Sequence, residues 1–326
     1  MRKNTTKIAG LDSLRFFAFL SIFIFHSTAF LPKGYLGVDF FFVLSSFLLT
    51  YLVFIELEQT SKFSKKNFFI RRSLRIFPLY FLVVIFSLVA LPLIANITNT
   101  NITLPENELF YWLFLSNYES SDSIFALKFL WSIAVEEQFY LIFILFGFLF
   151  KKHFWVFVGI LFSLYIGYMI IAQQLELSTY TNTLTHFSNF AIGMSSAYLF
   201  YHKMVSNKLM TTLFLLSSSA LLFLDLPDII FHPTISVCFA SITLLFIKTA
   251  NSIKHFKVFQ LTEHLGKYTY GLYIYSGFIL TFGNKFIPIK NSLLAFSIQA
   301  LLLLILAFSS YHLYEKHFLK LKKRFY

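Results

Sequence analysis

Residues 11–51 read LDSLRFFAFLSIFIFHSTAFLPKGYLGVDFFFVLSSFLLTY, two apolar segments joined by the tight turn Pro32-Lys33-Gly34. Each segment is long enough to cross a bilayer, which takes about 20 apolar residues. Three ionisable residues, Arg15, His26 and Asp39, lie inside them. Charged groups at membrane depth are costly and mark functional sites by default. Arg15 and His26 are eleven positions apart. At about 100° and 1.5 Å per residue they share one helix face, about 16 Å apart along the axis. Counting outward from Lys33 puts His26 and Asp39 at nearly the same depth. Asp39, Ser46 and Thr50 form a second polar stripe at helical spacing. A structural reading, in which polar groups glue two helices, stands beside the functional one.

The rest of the chain fits this frame. Of 326 residues, 57% are hydrophobic, 21% aromatic and only 13% charged, and 46 are Phe. That is far below the charge of a soluble domain. The fold expected is all-α, a polytopic membrane protein of about ten transmembrane helices. Apolar runs stand at about 11–31, 35–55, 76–95, 130–150, 154–172, 184–202, 209–225, 229–247, 268–284 and 293–314. The patch from Leu109 to Leu115 is too short to cross.

A net charge of +12 suits nucleic acid as a bare number, but its distribution reads instead as membrane topology. With a cytoplasmic N-terminus, 22 of the 27 Lys and Arg fall in cytoplasmic segments. Lys33, Lys128, Lys285 and Lys290 fall outside, and Arg15 lies within a span. That asymmetry is the positive-inside pattern and places both termini in the cytoplasm. Arg2, Lys3 and Lys7 before an apolar run imitate a signal peptide, but no small-residue cleavage site follows. The single Cys238 excludes a disulfide framework, and no HExxH or Cys/His spacing suggests a metal. No repeat, low-complexity tract or appended soluble domain interrupts residues 1–326, which read as one membrane unit.

The fourth run opens LWSIAVEEQFYL. Ser132, Glu136 and Tyr140 recur every four residues as one polar stripe, and Glu137 lies about 100° away. Glu136 is therefore the inward carboxylate expected, with Glu137 in reserve. Depth counting puts His26, Asp39 and Glu136 in one layer near the outer face. A histidine beside carboxylates is a general-base arrangement, and also what a helix-locking ion pair looks like. At the other boundary, NFFIRRSLRIFPLY carries Arg72 and Arg75 on one helical face, with Arg71 adjoining. Guanidinium forks match phosphate geometry, although basic residues at an inner boundary are also what topology demands.

Five motifs in order resemble the membrane-bound acyltransferase 3 family. They are the Arg15-to-His26 spacing, GVDFFFVLSSFLL (37–49), RRSLRIFP (71–78), WSIAVEEQFYL (131–141) and LGKYTYGLYIY (265–275). The resemblance implies an O-acyltransferase that moves an acyl group, usually acetyl, from cytoplasmic acyl-CoA to a hydroxyl of a cell-surface glycan or related acceptor. It implies a catalytic His26, acidic positions at Asp39, Glu136 and Glu137, and Arg15, Arg72 and Arg75 toward the acyl-CoA phosphates. No permanently bound cofactor is implied. Acyl-CoA is the donor substrate, the bilayer of a bacterial cytoplasmic membrane is the setting, and no nucleic acid is involved. The chain departs from the family pattern at Ser46, where Gly is frequent, at Ser276, where His is frequent, and at His317, where Pro is usual. Some members add a C-terminal extracytoplasmic esterase-like domain. With none before Tyr326, the expectation is action alone or with a separate envelope partner.

Two other classes are compatible with buried charges. A transporter of a glycan or lipid-linked intermediate would use them as a proton relay, but no repeated half is visible. An assembly subunit would be indifferent to His26. His186 and His232 read as structural histidines near outer span ends, or as lining an acceptor cleft.

Overall fold

The computed structural model describes residues 8–28, 30–121, 124–205, 208–221, 224–286 and 292–325. The basic residues Arg2, Lys3, Lys7 and Lys290 lie outside the described residues. Among the described residues the fold is all-helical, with no strand.

Helix α1 (Leu11–Ser27) begins beside a carboxylate. Glu263 accepts hydrogen bonds from the Gly10 and Ser13 backbone N–H groups at 3.4 and 3.1 Å and from the Ser13 hydroxyl at 3.1 Å. An acid is favoured there because the first N–H groups of a helix lack intrahelical partners. The Pro32–Gly34 turn leads into α2 (Gly37–Thr60), the most embedded helix, which packs against α1, α8 (Phe187–Tyr201) and α10 (Asp228–Ile253). Gly37 permits the α1–α2 contact, since a Cβ there would lie 2.4 Å from the Ala18 carbonyl oxygen.

Helix α3 (Lys65–Ile85) starts eleven residues before the apolar run, where the Ser64 hydroxyl accepts from the Asn67 N–H at 3.3 Å. It therefore carries RRSLRIFP as helix. A wide π-helical turn, Phe86–Ala90, joins it to α4 (Leu91–Thr98). The patch expected not to cross is the short α5 (Glu108–Trp112). A 3-10 segment, Phe125–Leu130, runs into α6 (Trp131–Phe146), followed by α7 (Phe154–Gln174). Helix α9 (Lys208–Leu221) precedes α10; α11 (Lys257–Leu265), α12 (Thr269–Phe286), α13 (Ser292–Ser310) and α14 (Lys316–Leu321) close the chain.

Among the described residues each of the ten apolar runs contains a helix. Six of the described helical stretches are long and apolar enough to cross a membrane: 34–60, 65–98, 125–146, 154–174, 228–253 and 293–325. A shorter apolar helix, Thr211–Leu221, stands beside them among the described residues, and α1 and α8 are 17 and 15 residues long.

Candidate active site

Two cavities meet inside the bundle. Their shared walls are Val38 and Tyr273.

The larger has a volume of about 570 Å³ and holds His26. His26 occupies the last turn of α1 and is exposed to this space. Its ring packs among Phe25, Phe129 and Phe125, with centroids 4.8, 4.9 and 6.1 Å away. No hydrogen bond or ion pair reaches it from the described residues. Tyr35, Trp131 and Tyr180 make an aromatic side of the same space, with Tyr180 5.1 Å from Trp131 and 5.8 Å from Tyr35. Glu119, Ser121, Lys128 and Thr181 supply the polar part of its wall.

The smaller cavity, about 90 Å³, is cationic at one end: Arg15, Arg72 and Arg75 all line it. The α1 spacing accounts for this, because Arg15 and His26 share a face and each looks into one cavity. Arg72 and Arg75, one turn apart on α3, also point together. Arg72 lies 5.4 Å from the Tyr140 ring and 5.9 Å from Phe68. Arg15 pairs with Asp12 at 3.3 Å. Arg71 points away, paired with Glu56 at 2.9 Å and donating to the Phe325 carbonyl at 2.8 Å.

The acidic residues fall in three places. Glu136 faces the smaller cavity and accepts hydrogen bonds from the hydroxyls of Ser45 and Tyr140, which are themselves 2.9 Å apart. Glu137 is buried on the other side of α6, and its Oε1 has no hydrogen-bond partner. Asp39 is buried, at 2% exposure, between α2, α8 and α10. Its Oδ1 accepts from Asn189 Nδ2 at 2.7 Å and lies 3.5 Å from His186 Nδ1 and 4.0 Å from His232 Nδ1.

The expectation that the Asp39 and Glu136 carboxylates stand beside His26 is not met: among the described residues their hydrogen bonds and ion pairs go elsewhere. Depth along the helix axes puts residues level with one another but leaves azimuth free. The cavity face of α2 is Val38, Phe41, Phe42 and Ser45, at offsets of three, four and seven. The stripe Asp39, Ser46 and Thr50 is a different face. Ser46 meets α8, where a Cβ on Gly193 would lie 2.0 Å from its hydroxyl. Asp39 consequently serves His186 and His232, and His26 has no carboxylate partner among the described residues.

Ser45, Tyr273, His186 and Asn189 were not among the site residues expected. Ser45 shares a helical face with Val38, Phe41 and Phe42, a signal open to sequence reading but outweighed by the charged stripe. His186 and Asn189 carry no signal that names Asp39, because pairing between distant helices is not written in either helix's periodicity.

The O-acetyltransferases OatA of Staphylococcus aureus strains NCTC 8325 / PS 47 and MRSA252 are each 40% identical over 148 residues, 42% of this chain and 24% of theirs. The chain therefore matches about a quarter of the length of those relatives. No solved structure matches it significantly. The acyltransferase domain model matches residues 8–312, nearly the whole chain and both cavities with it, and the protein belongs to the acyltransferase 3 family.

Proposed function

We propose that this chain is an integral-membrane O-acyltransferase that moves an acyl group, acetyl first among candidates, from cytoplasmic acyl-CoA to a hydroxyl of an extracytoplasmic glycan. In this reading ten spans cross the bacterial cytoplasmic membrane, both termini are cytoplasmic, the arginine cavity opens inward and the His26 cavity outward. The observation that carries it is the meeting of the two cavities at Val38 and Tyr273, one lined by Arg15, Arg72 and Arg75 and the other by His26.

The chemistry follows from the two ends. Guanidinium groups bind phosphate oxygens through paired N–H donors. An acyl-CoA anchored by its phosphates at the arginines extends its arm past Ser45, Glu136 and Tyr140 toward Tyr273. The thioester then enters the His26 cavity, about 16 Å from Arg15 along α1. The imidazole of His26 takes the acceptor hydroxyl proton as that oxygen attacks the thioester carbonyl. A C–O bond forms, the C–S bond breaks, and the proton passes to the departing CoA thiolate. General-base help of this kind contributes about 10²–10⁴-fold.

The test is release of CoA and transfer of label from radiolabelled acetyl-CoA by the purified chain in liposomes, with envelope extract as acceptor. Wild type should do both. His26→Ala should insert normally and transfer at least 100-fold more slowly, and Arg75→Ala should need far more acetyl-CoA. Full activity in His26→Ala would overturn the reading.

A further inference from the structure

The buried Asp39–His186 pair lies outside both cavities, yet it touches the wall of one of them. His186 is 1% exposed and stands just before α8. Its Nε2 lies 2.9 Å from the Tyr180 carbonyl oxygen. A carbonyl only accepts, so this nitrogen carries a ring proton and donates. On the opposite side, Nδ1 faces Asp39 Oδ1 at 3.5 Å. The ring face is packed at 4.7 Å from Phe42 and 5.6 Å from Trp131. Trp131 and Tyr180 are both walls of the His26 cavity, with ring centroids 5.1 Å apart.

Asp39 is itself held in one orientation. Asn189 donates to it through Nδ2, and Asn189 Oδ1 accepts from the Ser236 and Ser188 hydroxyls at 3.1 and 3.2 Å, which fixes the amide's sense. Three helices thus converge on one carboxylate, the carboxylate faces the His186 and His232 imidazoles at 3.5 and 4.0 Å, and the His186 imidazole holds one loop carbonyl. The Asp39 contact to His186 Nδ1 is an ion-pair distance, not a hydrogen bond, and a buried polar cluster of this kind bears on geometry more than on stability.

We infer that His186, oriented by Asp39, is a positioning residue for the acceptor: it sets the Tyr180–Trp131 wall of the His26 cavity and thereby the acceptor's affinity. The inference rests on the reading that this cavity receives the acceptor. It gives two histidine-facing helices, α8 and α10, a role in a reaction whose reacting groups they do not touch. The acceptor class it suits is one that can stack against an aromatic wall, as the apolar faces of sugar rings do, while a neighbouring hydroxyl reaches His26.

The test uses the full chain in liposomes with radiolabelled acetyl-CoA and chitotetraose as the acceptor probe. His186→Ala should raise the KM for chitotetraose at least fivefold and leave the KM for acetyl-CoA within twofold. His186→Gln, whose amide can donate to the Tyr180 carbonyl, should return it to within twofold of wild type. Tyr180→Ala should produce the same rise, and adding His186→Ala to it should change nothing further, as expected of residues that act as one unit. Equal changes in both KM values, or a change in kcat alone, would overturn the inference. So would an unmoved chitotetraose KM in Tyr180→Ala, which is readable even where His186→Ala fails to fold. A wild type that transfers nothing to chitotetraose and releases no CoA would sink the underlying reading together with this one. An active wild type with unmoved variants sinks this one alone.

Discussion

The hydroxyls of Ser132 and Tyr273 lie 2.6 Å apart, and Tyr273 stands in the wall of both cavities. The Tyr273 ring is also bracketed by Phe129 and Phe41, at 5.9 and 6.1 Å. In the proposed reading the neck between the arginines and His26 is an aromatic ring held by a hydrogen bond to a neighbouring helix. Tyr273→Phe keeps the ring and removes that bond, a loss of about 1 kcal/mol, and transfer should fall only a few-fold. Tyr273→Trp enlarges the ring against two others and should cut transfer at least tenfold while equilibrium binding of acetyl-CoA persists. Wild-type transfer by the Trp variant would show that nothing passes this neck.

How much of this could be read from the sequence depends on what periodicity encodes. Long apolar runs announce helices, and among the described residues each of the ten contains one. Spacing within one helix is equally legible: Arg15 and His26 share a face, Arg72 and Arg75 point together, and the Ser132–Glu136–Tyr140 stripe turns inward. Asp39 marks the limit. The helical stripe it belongs to was legible, but the identity of the helix it faces was not. That is decided by packing among α2, α8 and α10, in particular by Gly193, far downstream, which lets two backbones approach.

That glycine gives a second prediction. A Cβ on Gly193 would lie 2.0 Å from the Ser46 hydroxyl and 2.6 Å from the Val43 carbonyl oxygen. Helix backbone cannot yield by that much without separating α2 from α8, so Gly193→Ala should destabilise the protein by about 1–3 kcal/mol, the usual range for overpacking. Ser46→Gly removes the nearer obstacle, leaving only the carbonyl. The double variant should recover part of the lost melting temperature in detergent. Equal destabilisation of the single and double variants would place the whole clash on the Val43 backbone.

Glu119 supplies a pH dependence outside the membrane-spanning segments. Burial pushes its carboxyl up. Hydrogen bonds from the Ser121 hydroxyl and N–H, at 2.5 and 3.0 Å, and from the Asn107 N–H at 3.0 Å outweigh that and hold it below its ordinary value of 4.5. A carboxyl depressed in the folded state stabilises fully above its unfolded value and loses that contribution as pH falls through the folded one. The 106–121 turn should thus show high backbone-amide protection factors, corrected for the intrinsic pH dependence of exchange, at pH 6 and lower ones as pH falls below 4.5. Glu119→Gln should show the lower protection already at pH 6. Equal protection of the variant and wild type at pH 6 would remove Glu119 from the turn's stability.

The three arginines on α3 should separate cleanly, because they face different surroundings. Arg72 and Arg75 line the smaller cavity, whereas Arg71 is occupied by Glu56 and the Phe325 carbonyl. Hydrogen bonds to charged groups are worth about 1.5–3 kcal/mol, which corresponds to roughly 10–150-fold in affinity. Arg75→Ala should raise the acetyl-CoA KM within that range and leave the melting temperature nearly unchanged. Arg72→Lys should also raise it, because an ammonium keeps the charge but loses the planar fork and its stacking on Tyr140 and Phe68. Arg71→Ala should do the reverse, lowering the melting temperature by breaking the tie between α2, α3 and the C-terminal segment while the acetyl-CoA KM stays within twofold. Should Arg71→Ala weaken donor binding as much as Arg75→Ala, the phosphates would be held by the outer face of α3, and the smaller cavity would lose its assignment as the donor's entrance.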